Sequence, residues 1–189
     1  MVRGVRVHTS YLLSIFFLVS LTGCWGWGTV CAGEAYSTAG RTERSGPVIS
    51  NEFIIGIKER TVVNPGPKPL PFVFHNTVDG VFAKDFTSFS WGTGFGATWR
   101  PRPLSGFIIG GTQAHFDLIN NHFSFGNFQP YAQMGLTAPL TRRERDDSDG
   151  PIVTLAFQYS FLVHYLVREG EPRTDGFLAI KFGIGWEKN

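Results

Sequence analysis

Polar side chains that can exchange protons or hydrogen bonds recur at every second position in three segments of the chain. The set comprises Gln113, His115, Asp117, Gln129, Tyr131, Gln133, Gln158 and Ser160. Residues two apart point to the same side of an extended strand, so each segment presents its polar members on one face. Such a set can place a general base beside a nucleophile, or it can fill a narrow interior with satisfied hydrogen bonds. We expect the second arrangement, because buried polar groups need partners whether or not they catalyse a reaction.

These residues lack the spacing of a familiar catalytic or cofactor site. Ser160 and His164 share a face, but four residues of strand cover about 13 Å, which is too far for a hydrogen bond. His115 and Asp117 would supply two ligands, fewer than a metal site requires. The glycines of residues 92–96 lie inside a strand pattern and lack the spacing of a phosphate loop. We therefore expect no metal, no cofactor and no nucleotide, and the net charge of +2 gives no indication of nucleic-acid binding.

The elements that position these residues are strands, and residues 88–100 give the clearest pattern. Phe89, Trp91, Phe95 and Trp99 alternate with Ser, Gly, Thr and Arg residues. One face is apolar enough for hydrocarbon, whereas the other is small and polar, like the lumen of a narrow barrel. Several similar runs exceed the ~9–11 residues that a tilted strand needs to cross a bilayer. The sequence predicts an all-β fold, an antiparallel up-and-down transmembrane β-barrel. Its eight strands are expected at about residues 52–60, 70–78, 81–87, 88–100, 106–119, 123–141, 151–168 and 176–187.

Two joints in this scheme are irregular. Asp79-Gly80 is a pair that favours tight turns, so it is expected to separate the second strand from a short third one. The inward face changes parity between Gly126 and Gln129, which predicts a β-bulge or a longer loop at that point.

Residues 1–32 have the character of a secretory signal peptide. The apolar residues 11–21 are too few for a membrane helix but suit the core of a signal. Two cleavage positions remain open. Cleavage before Cys24, within Leu21-Thr22-Gly23-Cys24, would leave Cys24 lipidated, as in bacterial lipoproteins. Cleavage after Ala32 would follow small residues that an ordinary signal peptidase accepts.

The rest of the chain is long enough for one domain. Residues 33–51 are polar and rich in turn-forming residues, so they are expected to form a flexible N-terminal arm. The barrel domain is then expected at residues 52–189.

Alternation by itself leaves open which face points outward. A soluble lipocalin-like barrel would place Phe and Trp inside and the other face in water. That outer face would consist of Gly, Ser, Thr and Gln with few charges, which is an unusual soluble surface. We therefore prefer the membrane barrel.

The segment Phe128-Gln129-Pro130-Tyr131-Ala132-Gln133-Met134-Gly135-Leu136, with His164-Tyr165 and Asp175-Gly176 further on, resembles the C-terminal half of lipid A deacylases of the acyloxyacyl hydrolase type. The resemblance implies an eight-stranded barrel whose hydrolytic site has a His, a Ser two residues later and a downstream Glu. His164 matches the family His and is the candidate catalytic residue. Leu166 stands at the position of the Ser, and residues 177–186 contain no Glu. The resemblance therefore supports the barrel more than the chemistry.

The sequence thus predicts an exported protein of the outer membrane of a Gram-negative bacterium. Its expected role is structural, or interactive through its loops, and its expected partners are outer-membrane lipid and lipopolysaccharide. Two alternatives remain: a lipid A ester hydrolase, and a soluble periplasmic lipocalin-like barrel that binds lipid. The oligomeric state is left open.

Overall fold

The structure, a computed structural model, describes residues 24–38, 45–59, 68–84, 86–99, 104–119, 122–141, 149–165 and 172–188. Residues 1–23, where most of the expected signal peptide lies, fall outside the described residues. Within the described ranges, no helix is long and apolar enough to cross a membrane.

Eight strands form a closed barrel in which every neighbouring pair is antiparallel. They are β1 (Cys24–Ser37), β2 (Gly46–Glu59), β3 (Lys68–Phe82), β4 (Phe86–Trp99), β5 (Ser105–Ile119), β6 (His122–Pro139), β7 (Gly150–Tyr165) and β8 (Pro172–Lys188). The strands follow one another around the barrel in chain order, and β1 pairs with β8 to close it. We call the end where β1 begins and β8 finishes the terminal end, and the other the distal end. The expected all-β, up-and-down barrel is confirmed.

Side chains alternate between the two sides of the barrel wall as the sequence pattern predicts. On β4, Trp91 and Phe95 are 56% and 73% exposed on the outside, while Ser88 and Ser90 are buried inside. The large apolar face of β4 therefore lies outside, which is the reverse of the lipocalin-like alternative.

The N-terminal part of the barrel differs from the expectation. Residues 33–51 do not form a flexible arm, because residues 33–37 belong to β1 and residues 46–51 belong to β2. The barrel begins at Cys24 rather than at residue 52. The segment escapes detection because β1 reverses the usual pattern: Trp25 and Trp27 face the interior, and small residues such as Gly26 and Gly28 face outward. Its sequence therefore looks like the end of a signal peptide.

The third predicted strand, residues 81–87, is also wrong. β3 continues through Asp79-Gly80 to Phe82, and the chain turns at residues 83–85 instead. The Asp79 side chain is held by Lys181 inside the barrel, and the Phe82 ring lies over the outer side of Gly80. These contacts override the local preference of the Asp-Gly pair for a turn. The number of strands stays at eight because β1 replaces the strand that is lost.

The irregularity expected between Gly126 and Gln129 is confirmed as a bulge. Gln113 pairs with Gln129, whereas His115, two residues further along β5, pairs with Gly126. β6 has one residue more than β5 between these two pairs, and one extra residue reverses which side chains point inward. The bulge therefore places Gln129, Tyr131 and Gln133 on the interior face.

Two apolar layers close the interior. Near the terminal end, Trp25, Trp27, Val73, Phe107 and Ile152 pack in one buried cluster. Near the distal end, a second cluster comprises Ala35, Val48, Phe86, Phe177 and Ala179. The Phe86 and Phe177 rings stack with centroids 5.6 Å apart. Most of the buried charged and amide side chains lie between these two clusters.

The position of β1 makes a direct prediction about the N-terminus. A chain that starts at Gly33 is expected not to close the barrel, because it lacks Trp25, Trp27 and most of the strand that joins β2 to β8. Refolding into detergent micelles, followed by gel mobility with and without heating, measures closure, and a chain that starts at Cys24 is the control. Equal mobility shifts for the two chains would contradict the prediction.

Candidate functional site: the polar interior

A buried lysine forms the centre of the polar interior. The Lys181 ammonium lies 2.8 Å from Glu52 Oε1, 2.8 Å from Asp79 Oδ1 and 2.6 Å from Gln158 Oε1. Ser50 Oγ lies 3.1 Å away, so four acceptors share the three donors of the ammonium group. Lys181 is only 1% exposed. We refer to Lys181, Glu52 and Asp79 as the charged triad.

The strand order explains how these groups meet. Lys181 lies on β8, Glu52 on β2 and Asp79 on β3, so the lysine side chain reaches past β1. Gly33 is the β1 residue paired with Lys181. A Cβ at Gly33 would lie 3.0 Å from the Lys181 Cα and closer still to the backbone of Ile180. A glycine at this position therefore keeps the wall of β1 clear beside the base of the lysine side chain.

Amide side chains extend the triad into a network. Gln133 Nε2 donates to Glu52 Oε2 at 2.9 Å. Gln158 Nε2 lies 3.1 Å from Asp79 Oδ2, 3.2 Å from Gln113 Oε1 and 3.1 Å from Ser160 Oγ. Strands β2, β3, β5, β6, β7 and β8 thus all contribute side chains to one hydrogen-bonded unit.

The charged triad contributes more to specificity than to net stability. At an effective dielectric of about 20, two charges 2.8 Å apart attract by about 6 kcal/mol. Removing each ion from water costs several kcal/mol, so the net gain is small. If one member were removed, a remaining charged group would still have lost its hydration but would no longer be attracted by its partner. The triad therefore favours the one strand arrangement that brings all three groups together.

A second contact lies beside the triad. His75 Nδ1 and Tyr131 Oη are 2.8 Å apart, and both side chains are buried. The tyrosine ring lies along the inner wall over the adjacent strands β5 and β4, where Gly111, the cross-strand partner of Tyr131, and Gly94 face it. A Cβ would lie 2.7 Å from Tyr131 Oη at Gly94, and 2.6 Å from the ring at Gly111. Gly94 on β4 and Gly111 on β5 therefore make room for a tyrosine ring that reaches His75 on β3.

A nucleophile and a base do approach each other near the distal end. Ser88 Oγ lies 3.4 Å from His115 Nδ1, at the edge of a small cavity with Phe86 and Phe177 on its apolar side. The cavity has room for about two water molecules. Both side chains belong to the buried polar interior of the barrel. Among the described residues, no three His, Cys, Asp or Glu side chains are placed to hold a metal ion.

The eight polar residues singled out from the sequence are all buried on the inner face. Gln113, Gln133, Gln158 and Ser160 join the triad network, Tyr131 contacts His75, and His115 contacts Ser88. The lysine at the centre was missed, and so were both carboxylates. Lys181 could have been found because it is the lone charge on a strand face that it shares with Ala179 and Gly183, and charged residues are unusual on an inward face.

The β7 backbone at His164 pairs with Arg173, but the His164 side chain and all of Leu166 lie outside the described residues.

The triad generates a stability prediction. Lys181→Met is expected to destabilise the barrel by about 3–5 kcal/mol, because two carboxylates would stay buried without a cation. The triple variant Lys181→Met, Glu52→Gln, Asp79→Asn removes all three charges and should recover most of that loss. Urea unfolding in detergent, followed by tryptophan fluorescence, measures both. A single variant as stable as the unchanged protein would show that the triad does not hold the strands together.

Comparison with known proteins identifies a similar architecture. No family model matches the chain, and no curated protein matches it closely enough to count as a relative. Among solved structures, the chain is similar to Neisserial surface protein A, with a TM-score of 0.55 and 12% sequence identity. The match covers 86% of this chain and 96% of the Neisserial chain. At this identity the similarity shows a shared barrel fold.

Proposed function

We propose that the protein is an integral outer-membrane barrel with a structural or interactive role, carried by its outer surface and loops and not by a pore or an active site. The observation that carries the proposal is the apolar outer wall. Large apolar side chains are more than half exposed on seven of the eight strands, β1 to β6 and β8: Val30, Ile49, Phe72, Trp91, Ile108, Phe123 and Ile184. In water such a continuous apolar surface would cause association, whereas in a bilayer it contacts hydrocarbon.

The dimensions fit the same environment. The strands are 14 to 18 residues long. A tilted strand of 14 residues rises about 35 Å along the barrel axis, which covers a hydrocarbon core of about 30 Å. Neisserial surface protein A, whose fold is similar, is by its name a surface protein, and this agrees with an outer-membrane location.

Export follows from the same proposal. Cleavage before Cys24 would release a chain that retains all of β1, whereas cleavage after Ala32 would remove nine of its fourteen residues. We therefore favour cleavage at Leu21-Thr22-Gly23-Cys24, with Cys24 lipidated at the terminal end of the barrel. The partners that we expect for the outer wall are membrane lipid and lipopolysaccharide.

Membrane insertion can be measured through the tryptophans. Trp91, Trp99 and Trp186 are exposed on the outer wall, whereas Trp25 and Trp27 are buried inside. In vesicles of brominated lipid, the fluorescence of the unchanged protein is expected to be strongly quenched. The variant Trp91→Phe, Trp99→Phe, Trp186→Phe retains only the interior pair and should be quenched little. Equal quenching of both proteins, or recovery of the protein in the aqueous phase, would overturn the proposal.

The closed interior predicts that the protein does not conduct ions. Two apolar layers and the charged triad fill the lumen, as is usual for barrels of eight strands. Planar lipid membranes that contain the purified protein should therefore remain at baseline conductance, with an open porin as the positive control. Stepwise conductance that depends on the protein would contradict a purely structural interior.

A further inference from the structure

A line of polar side chains crosses the outer wall of the barrel on four neighbouring strands. Asn76 on β3 pairs directly with Thr93 on β4, and Thr93 pairs directly with Thr112 on β5. Asn51 on β2 pairs with Val78, two residues from Asn76. We call Asn51, Asn76, Thr93 and Thr112 the outer polar line. Asn51 and Thr112 are exposed, and Asn76 and Thr93 are partly exposed.

Each member lies close to the midpoint of its strand. In the proposed membrane location, the midpoints of the strands lie near the centre of the bilayer, where water is absent. An amide or hydroxyl group that lacks a hydrogen bond there is costly. Among the described residues, no side-chain hydrogen bond involves any of the four. The outer polar line therefore has unsatisfied hydrogen-bonding groups, and lipid chains have no polar atoms that could bond to them.

The surface beside the line has both a projection and a depression. Phe95 is 73% exposed and packs edge to face against Phe74. Its cross-strand partner is Gly110, where an added Cβ would meet no atom within 4 Å. A protruding ring thus stands next to an empty position on the same patch.

We propose that this patch, on β2 to β5, is the interface between two copies of the chain in the membrane. Asn amides and Thr hydroxyls each donate and accept hydrogen bonds, so two identical lines related by a twofold axis satisfy one another. The exposed Phe95 ring and the open position at Gly110 lie beside this line, where side chains of the second copy can pack against them. Polar groups inside membranes generally face such protein partners and not lipid.

The opposite wall lacks these features. Phe182 on β8, four strands away from β4, is 62% exposed near the middle of its strand, and its outer neighbours Ile180 and Ile184 are apolar. Lipid is a sufficient partner for this outer face of β8, and Glu34 on the neighbouring β1, paired with Ile180, is the exposed charged residue on that side. The proposal therefore assigns one side of the barrel to the second copy and the other to lipid.

Cysteine cross-linking distinguishes the two walls. Thr93→Cys and Phe182→Cys are compared in a Cys24→Ser, Cys31→Ser background, after both are shown to form the closed barrel. In vesicles with a large excess of lipid, oxidation should link Thr93→Cys into dimers and leave Phe182→Cys mostly monomeric. Equal dimer yields from both variants would indicate random collision and would overturn the interface.

A second variant removes two of the unsatisfied amide groups and needs no cross-link. Asn51→Leu, Asn76→Leu is expected to weaken self-association in micelles about tenfold, because each side-chain hydrogen bond in a membrane contributes modestly. The double variant Ile180→Leu, Ile184→Leu on the outer face of β8 is the matched control and should not change it. Sedimentation equilibrium of the folded proteins measures association, and equal values for the two variants would overturn the interface.

This inference rests on the proposed membrane location, and the two fail in different ways. An inserted barrel that stays monomeric, or that cross-links in cells to another protein through Thr93→Cys but never to itself, would overturn the interface alone. A barrel that does not insert into vesicles would overturn the membrane location.

Discussion

One buried ammonium group organises the interior of this barrel. Lys181 draws carboxylates from β2 and β3 to β8, across the strand that closes the circle, and amides from β6 and β7 complete its surroundings. Each carboxylate would be costly to bury alone, so the three strands are stable only in the register that brings the charges together. The seam between β1 and β8, where the two ends of the chain meet, is thereby tied to the rest of the wall.

The polar layer also explains the distribution of apolar residues. A lumen of eight strands is narrow, so side chains fill most of it. Amides and charges fill the middle, and aromatic and aliphatic clusters fill both ends. With the interior occupied in this way, most large apolar side chains point outward. The resulting outer surface is apolar on most strands, as contact with lipid requires.

The sequence predicted strand positions correctly where a strand has one purely apolar face, and it predicted them wrongly where a strand lacks such a face. Alternation on β4 to β7 predicted their bounds closely, and the parity change in β6 predicted its bulge. β1 was missed because its tryptophans point inward, which local periodicity cannot distinguish from a signal peptide. The Asp79-Gly80 pair by itself predicts a turn, because the ion pair with the distant Lys181 that favours a strand there is not visible in the local sequence. The charged triad joins residues up to 129 positions apart, so nothing local could reveal it.

β2 and β3 are polar on both sides of the wall near their midpoints. On the inside, Glu52 and Asp79 are matched by Lys181, so their presence has a structural explanation within the chain. On the outside, Asn51 and Asn76 have no such match among the described residues. In the proposed membrane location the fold does not require them, because Val or Leu would suit hydrocarbon better at the same backbone positions. A residue type that the fold does not need, at a depth where it is costly, points to a partner outside the chain, and this is why the outer wall of β2 to β5 is the most informative surface for function.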